Sequence, residues 1–135
     1  MNIEPINEKI SNISIIHDDE QKTGFSFFYG TNKYPVNFPL LISVAFVNVK
    51  THKLYQLEVN ISNDKEIVAE FSAQQFIFHD KDMVFLKDGI GQAFIKSGLN
   101  FNVKHPGTYR ISFVLKGVSD DEILDEHTVY SYFGE

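Results

Sequence analysis

Apolar and polar residues alternate along almost the whole chain, so that every second position is apolar. The pattern is clearest over residues 108–116, where Tyr109, Ile111, Phe113 and Leu115 occupy alternate positions. Side chains of a β-strand point to opposite faces in turn, so this alternation marks strands with one buried face. An amphipathic helix needs apolar residues three and four positions apart, and no long segment keeps that spacing. The pattern therefore predicts an all-β fold.

Turn-forming residues divide the alternating pattern into eight predicted strands. They cover residues 10–17, 23–29, 38–50, 54–61, 66–79, 92–103, 108–116 and 126–133. The apolar set changes face near Ser72 and Ala73, which predicts a bulge or a break in the fifth strand. Gly98 predicts a kink in the sixth strand. The third strand is apolar on both faces, so we expect it to be central and covered on both sides.

Short strands at even spacing, without helices between them, are typical of sandwiches and barrels. The chain has 135 residues, 43% of them hydrophobic, which suits a single core. The sequence therefore predicts an antiparallel two-sheet sandwich, immunoglobulin-like or Greek-key. We expect one domain over residues 1–135, with residues 1–9 as an N-terminal extension.

One late strand begins with a signature of Greek-key sandwiches. Tyr109 follows a Pro106-Gly107 turn at the start of that strand. This placement is typical of the tyrosine corner, in which the phenol hydroxyl bonds to a nearby backbone group. We therefore expect Gly107 and Tyr109 to have structural roles.

The same region carries a family resemblance. Residues 99–101 (LNF) and 105–111 (HPGTYRI), followed by a strand, an acidic loop and a closing strand, resemble the C-terminal half of small uncharacterised bacterial β-sandwich domains of unknown function. Residues 37–40 (NFPL), which lead into a long apolar strand, are similar to the middle of those domains. The resemblance covers about two-thirds of the chain. It implies a sandwich fold and no particular activity.

Charge and composition narrow the classes of partner and compartment. The net charge of −6 argues against nucleic acid and anionic membranes, because proteins that bind them concentrate Lys and Arg on one face. The first residues lack the basic start and apolar run of a secretory signal. No stretch reaches the ~18 apolar residues of a membrane-spanning helix. We therefore expect a bacterial, cytoplasmic protein.

Motifs for catalysis are missing from the sequence. The chain has no cysteine, which excludes disulfides, a thiolate nucleophile and cysteine-based metal sites. Residues 96–98 (KSG) are the nearest fragment to a nucleophile elbow, and such a Ser-Gly pair is typical of a turn. Residues 89–91 (GIG) lack the third glycine and the helix of a phosphate-binding loop. The sequence predicts a protein that is not an enzyme and needs no cofactor.

Three histidines are candidates for an alternative metal site. His17, His79 and His127 each have a carboxylate as immediate neighbour, and a ligating histidine often has such a partner. The three lie on separate predicted strand ends, so ordinary loop histidines are the competing interpretation. Residues 80–82 (DKD) and the neighbouring acidic loops leave a second alternative, a calcium-dependent or carbohydrate-binding sandwich with Ca²⁺ as cofactor.

Connections in an antiparallel sandwich fall at alternate ends, which predicts where the acidic loops meet. If residues 66–79 form one bulged strand, most loop carboxylates and the three histidines share one end, an acidic pole. Its candidate binding residues are Asp18, Asp19, Asp80, Asp82, Asp120 and Asp121. A charged rim that only aids solubility is the alternative.

The sequence thus favours a non-catalytic binding or accessory module that contacts a protein partner, with the acidic pole as its candidate surface. It also predicts a homo-oligomer. Phe25, Phe27 and Tyr29 lie on one face of the second predicted strand and Phe28 lies on the other. A sandwich strand buries only one face, so the second face needs cover from another segment or a second copy.

Overall fold

A computed structural model describes residues 6–16, 27–30 and 34–134 of the chain. The described residues form one turn of 3₁₀ helix, Asp80–Asp82, and nine strands. The strands are β1 (Lys9–Ile16), β2 (Phe27–Gly30), β3 (Val36–Lys50), β4 (Leu54–Ser62), β5 (Ile67–Ile77), β6 (Phe85–Lys87), β7 (Ile90–Val103), β8 (Gly107–Gly117) and β9 (Glu122–Gly134).

The strands form two sheets with one core between them. One sheet has the order β1-β3-β7-β6 and the other the order β2-β9-β8-β4-β5. Every pairing is antiparallel except that of β2 with β9. In an immunoglobulin-like sandwich, one sheet has the strand order A-B-E-D and the other has the order G-F-C. Here β1-β3-β7-β6 corresponds to the first order and β9-β8-β4 to the second, with β2 and β5 added at the edges. The predicted all-β two-sheet sandwich is confirmed.

The core consists of the inward residues of both sheets. Ile42, Val44 and Phe46 of β3 and Ile111 and Phe113 of β8 are buried in one apolar cluster. Ile111 lies two residues after Tyr109, where immunoglobulin domains carry the second cysteine of the disulfide between the sheets. Its side chain is fully buried. Apolar packing therefore joins the sheets at this point in a chain without cysteine.

The predicted bulge in β5 is confirmed. Leu57 and Val59 are two positions apart on β4, whereas their partners Gln74 and Phe71 are three positions apart on β5. The extra residue lies within this short interval, and β5 continues beyond it as the same strand. The later loops therefore keep the alternation of ends on which the acidic-pole prediction depends.

β3 has the central position that was predicted, but its outer face is not covered as predicted. The strand lies between β1 and β7. A register shift after Phe46, with Asn48 at a positive φ of 59°, turns Val49 inward, where it is fully buried. Leu41 remains 42% exposed on the outer face, so the prediction that both faces are covered is wrong. The bulge therefore explains the inward position of Val49, whereas Leu41, Ala45 and Val47 lie on the outer face.

Several predicted boundaries also change. β6 lies inside the predicted loop of residues 80–88, and β9 begins at Glu122 rather than at residue 126. Asp121 takes a positive φ of 47° and closes a tight turn, which lets the acidic residues after it join the strand. The pairing of β3 with β7 continues without a shift through Gly98, so no kink occurs there. Of the second predicted strand, residues 23–26 lie outside the described residues.

The tyrosine corner is present at the start of β8. The Tyr109 hydroxyl donates a hydrogen bond of 2.7 Å to the carbonyl oxygen of His105, and the ring is buried. Gly107 has a φ of 141°, which favours glycine, and its missing side chain would meet no other atom within 4 Å. Backbone conformation, rather than space, therefore explains the glycine.

Replacing Tyr109 with Phe is expected to lower the free energy of unfolding by about 1–2 kcal/mol, because the change leaves a partly buried carbonyl without its donor. Urea unfolding followed by circular dichroism measures the difference. Tyr130→Phe is the matched control, since that ring is 52% exposed. Equal stability losses in the two variants would contradict a structural role for the corner.

Candidate binding surfaces

One end of the sandwich, here called the loop end, brings together three connections. The turn at residues 51–52, the 3₁₀ turn and the turn at residues 118–121 all lie there. The His52 N–H donates to the Phe78 carbonyl at 2.9 Å, and the Val118 N–H donates to the Leu54 carbonyl at 3.1 Å. Two of the loops in the predicted acidic pole, those with Asp80 and Asp120, therefore lie at the same end. Asp18 and Asp19 lie outside the described residues.

Charges of both signs share the loop end. Asp80, Asp82, Asp120 and Asp121 are exposed there. Lysines 50, 53, 81 and 87 lie at the same end, so the negative field is weaker than the carboxylates alone suggest. The Asp82 carboxylate accepts a hydrogen bond of 2.9 Å from the His79 N–H and so closes the 3₁₀ turn. That carboxylate has a structural role.

Of the three predicted histidine ligands, His79 and His127 are described, and they lie on different elements. His79 lies beside His52, with ring centres 5.5 Å apart, and His52 Nε2 lies 3.9 Å from an Asp80 carboxylate oxygen. His127 pairs with Phe113 well inside β9, because that strand begins earlier than predicted. His17 lies outside the described residues. In the part of the chain that the structure describes, no three His, Cys, Asp or Glu residues are placed to hold a metal ion.

The outer face of the four-stranded sheet carries a group of large apolar side chains, here called the aromatic patch. Phe85 is 60% exposed, Phe94 is 50% exposed and Ile90 is 43% exposed. Phe85 pairs with Gln92, and Ile90 and Phe94 lie two positions to either side of Gln92 on β7. All of these side chains therefore project from the same face. A shallow hollow of about 270 Å³ opens beside Phe85 and Ile90.

A glycine holds β6 in position for the patch. A side chain at Gly91 would bring its Cβ to 2.0 Å from the carbonyl oxygen of Phe85. Only glycine permits this close approach of the two backbones. The Asp88-Gly89 turn, with both residues at positive φ, then joins the strands. The sequence of this segment predicts a loop, because three residues are too few to show alternation.

A cleft of about 430 Å³ opens at the opposite end of the sandwich. It lies between residues 62–65 and residues 105–110, and Tyr130 forms part of its wall. Tyr130 pairs with Arg110, the only arginine of the chain, and both side chains are exposed. The two loops of this cleft are far apart in the chain, so the sequence alone does not predict it. The single arginine was the one available signal.

A buried polar cluster ties the residues before β1 to the rest of the domain. A Glu8 carboxylate oxygen accepts hydrogen bonds of 2.6 Å from the Lys53 ammonium and 2.9 Å from the Tyr55 hydroxyl. The Tyr55 hydroxyl accepts a further bond of 2.8 Å from the Lys50 N–H. Glu8 is only 4% exposed and Lys9 opens β1, so the last two residues of the predicted extension belong to the sandwich.

The cluster shifts the pKa of both acidic groups. Burial alone would raise the pKa of Glu8. Hydrogen bonds from Lys53, its own backbone N–H and Tyr55, together with the Lys53 charge, hold that pKa below its ordinary value near 4.5. Burial raises the pKa of Tyr55 most, the Glu8 carboxylate raises it further, and the bond from Lys50 opposes only part of the shift. Glu8 is therefore ionised and Tyr55 is neutral near pH 7.

Comparison with known proteins supports the fold. No family model and no curated protein matches the sequence. Among solved structures, a bacterial adhesin from Mobiluncus mulieris is similar, with a TM-score of 0.60 and 10% identity over 94% of this chain and 57% of its own. A β-glucuronidase from Bacteroides uniformis is also similar, with a TM-score of 0.61 and 12% identity over 94% of this chain and 14% of its own.

These likenesses show a shared β-sandwich fold. They agree with the resemblance to bacterial sandwich domains found in the sequence. The chain spans just over half of the adhesin chain and a small part of the glucuronidase chain.

A separate finding concerns membranes: none of the described segments forms a helix that could span a bilayer.

Proposed function

We propose that this domain is a non-catalytic binding module and that the aromatic patch is its contact surface for a protein partner. The proposal is carried by the composition of the four-stranded sheet. β1, β3, β6 and β7 contain lysines at positions 9, 50, 87 and 96 and no Asp or Glu. The whole chain has a net charge of −6, so these four strands differ in sign from the rest of the molecule, and Asp88 in the turn between β6 and β7 is the carboxylate beside the hollow.

The lysines surround the apolar residues of the patch. Lys50 and Lys87 each pair with Ile90, and Lys96 lies two positions beyond Phe94 on the same face. Exposed apolar groups rimmed by polar ones are typical of interaction surfaces. The partner that fits is a protein surface with apolar side chains for Phe85 and Phe94 and carboxylates for the lysines.

The acidic residues of the loop end form a second proposed contact, for a basic partner. Asp120, Asp121 and Glu122 are consecutive and exposed, which favours that part of the end. Charge-reversal variants distinguish the two proposed contacts. Lys87→Glu weakens binding if the aromatic patch is the contact, whereas Asp120→Lys weakens it if the acidic loops are.

The test compares what the immobilised wild-type domain and its variants retain from an extract of the source organism. A partner retained by the wild type is then purified, and its dissociation constant is measured by calorimetry. The double variant Phe85→Ala, Phe94→Ala is expected to raise that constant about tenfold or more, because exposed aromatic anchors dominate interface energies.

Tyr130→Ala is the matched control, because it also removes an exposed aromatic ring but lies outside the patch. It is expected to change the dissociation constant by less than about twofold. Equal binding by the wild type and the double variant would overturn the patch as contact surface. Absence of any retained partner would overturn the proposed function itself.

The cleft supports a second candidate, a carbohydrate-binding sandwich. Its volume is within the range of small-molecule sites, about 300–1,000 Å³. An exposed Tyr130 ring beside Arg110 offers a flat apolar surface next to a hydrogen-bond donor. Calcium dependence has weaker support, since the described carboxylates form no cluster suited to a metal.

A further inference from the structure

The outer edge of β7 is long, and within the described ranges it is paired only at its beginning. β7 runs over Ile90–Val103, but β6 pairs with residues 90–92 alone. Among the described residues, no strand pairs with residues 93–103 on the side away from β3. Such an edge presents unpaired backbone groups to any strand that can approach it.

The direction of these backbone groups follows from one hydrogen bond. The Val84 N–H donates to the carbonyl of Gln92 at 2.7 Å, so the backbone groups of Gln92 point away from β3. The N–H and C=O of one residue in an antiparallel strand point to the same side, and they alternate along the strand. Since the register with β3 is unbroken here, positions 94, 96, 98, 100 and 102 also present their groups at the open edge.

We propose that two copies of this chain pair through this edge, antiparallel, with Gly98 on the two-fold axis. Gly98 is the midpoint of the open segment. Pairing about it places Gly98 opposite itself, residue 96 opposite residue 100 of the second copy and residue 94 opposite residue 102. Every outward backbone group from residue 94 to residue 102 then has a partner. The proposal is independent of the proposed function and leaves the aromatic patch facing outward.

Self-pairing fits the charges and the space at the edge. Lys96 is the only charged residue of the open segment. It meets an asparagine rather than its own copy, and the two lysines lie about 13 Å apart along the strands, beyond the ~10 Å screening distance at moderate salt. A side chain at Gly98 would meet no atom within 4 Å, so the sheet face at the axis has room for the side chains introduced in the tests below. A second copy is thus the occupant whose backbone, length and charge match this edge.

Cysteine cross-linking tests the register, because the natural chain contains no cysteine. In the pairing, the Cα atoms at position 98 lie about 5.5 Å apart, which is within the range for a disulfide. Gly98→Cys is therefore expected to give a covalent dimer under mild oxidation. Asn102→Cys is the matched control, because its copies lie about 27 Å apart and should not cross-link. Equal cross-linking by both variants would overturn the register.

Sedimentation equilibrium of variants with a charge at position 98 tests the pairing itself. The wild type is expected to dimerise, giving twice its mass of 15.5 kDa. Gly98→Lys and Gly98→Glu are each expected to raise the dimer dissociation constant about tenfold, because like charges then stand directly opposite. Mixing the two variants should restore the dimer. A wild type that stays monomeric at 0.5 mM, or a dimer unaffected by either variant, would overturn the proposal.

Discussion

Replacing Glu8 with alanine is expected to lower the free energy of unfolding by about 3 kcal/mol. The change leaves the Lys53 ammonium, with a side chain only 25% exposed, and the fully buried Tyr55 hydroxyl without their shared acceptor. Buried donors without acceptors carry the full cost of lost hydration. Glu126→Ala removes an exposed carboxylate and is expected to change stability by less than about 0.5 kcal/mol. Urea unfolding measures both variants, and similar losses would contradict the importance of the buried cluster.

The contribution of Glu8 should also depend on pH. Because folding lowers the pKa of Glu8, the ionised form stabilises the folded state above the ordinary value near pH 4.5. This contribution is lost as the pH falls through the lower, folded-state pKa. The stability difference between wild type and Glu8→Gln is therefore expected to be constant near pH 7 and to shrink below pH 4.5. Unfolding curves at several pH values measure it, and a difference that grows toward low pH would contradict this sign.

Replacing Gly91 with alanine is expected to destabilise the domain by about 2–4 kcal/mol, since the added Cβ overlaps a backbone carbonyl that cannot rotate away. The overlap is removed only if β6 separates from β7, so the amide hydrogens of β6 should exchange faster with solvent. Gly98→Ala is the matched control on the same strand, because open space surrounds its Cβ. That control is expected to change stability by no more than about 1 kcal/mol and to favour the folded state.

Hydrogen exchange and urea unfolding check this pair of variants. Protected β6 amides in Gly91→Ala, or equal stability in the two variants, would show that β6 does not depend on the close approach at Gly91. The result also bears on the aromatic patch, since Phe85 reaches the outer face only while β6 remains paired with β7.

Much of the fold could be predicted because burial on one face leaves a direct record in the sequence. Alternation located strands such as β8 and β4, and the change of apolar face near Ser72 located the bulge in β5. β6 left no such record, because its residues are few and all are exposed. The start of β9 was missed because acidic residues are rare in strands, although Asp125 accepts a hydrogen bond from the Ile10 N–H across the sandwich.

The candidate surfaces were harder to predict, because they depend on residues that are distant in the chain. Because connections fall at alternate ends of an antiparallel sandwich, the order of the strands was enough to place the Asp80 and Asp120 loops at one end. The same argument places the lysines of residues 50–53 and 80–88 at that end, where they weaken the field of the carboxylates. Glu8 looked like part of an extension, as nothing near it in sequence indicates Lys53 and Tyr55. The aromatic patch needed the register of β6 with β7.

The most direct test of the aromatic patch is an NMR titration of the ¹⁵N-labelled domain with the purified partner. Backbone amides of residues 85–94 and of Lys50 and Lys96 are expected to shift, while those of residues 105–110 in the cleft stay unchanged. Phe85→Ala is expected to abolish the shifts without disturbing the rest of the spectrum. Shifts confined to the cleft, or absent from β6 and β7, would contradict binding through the aromatic patch.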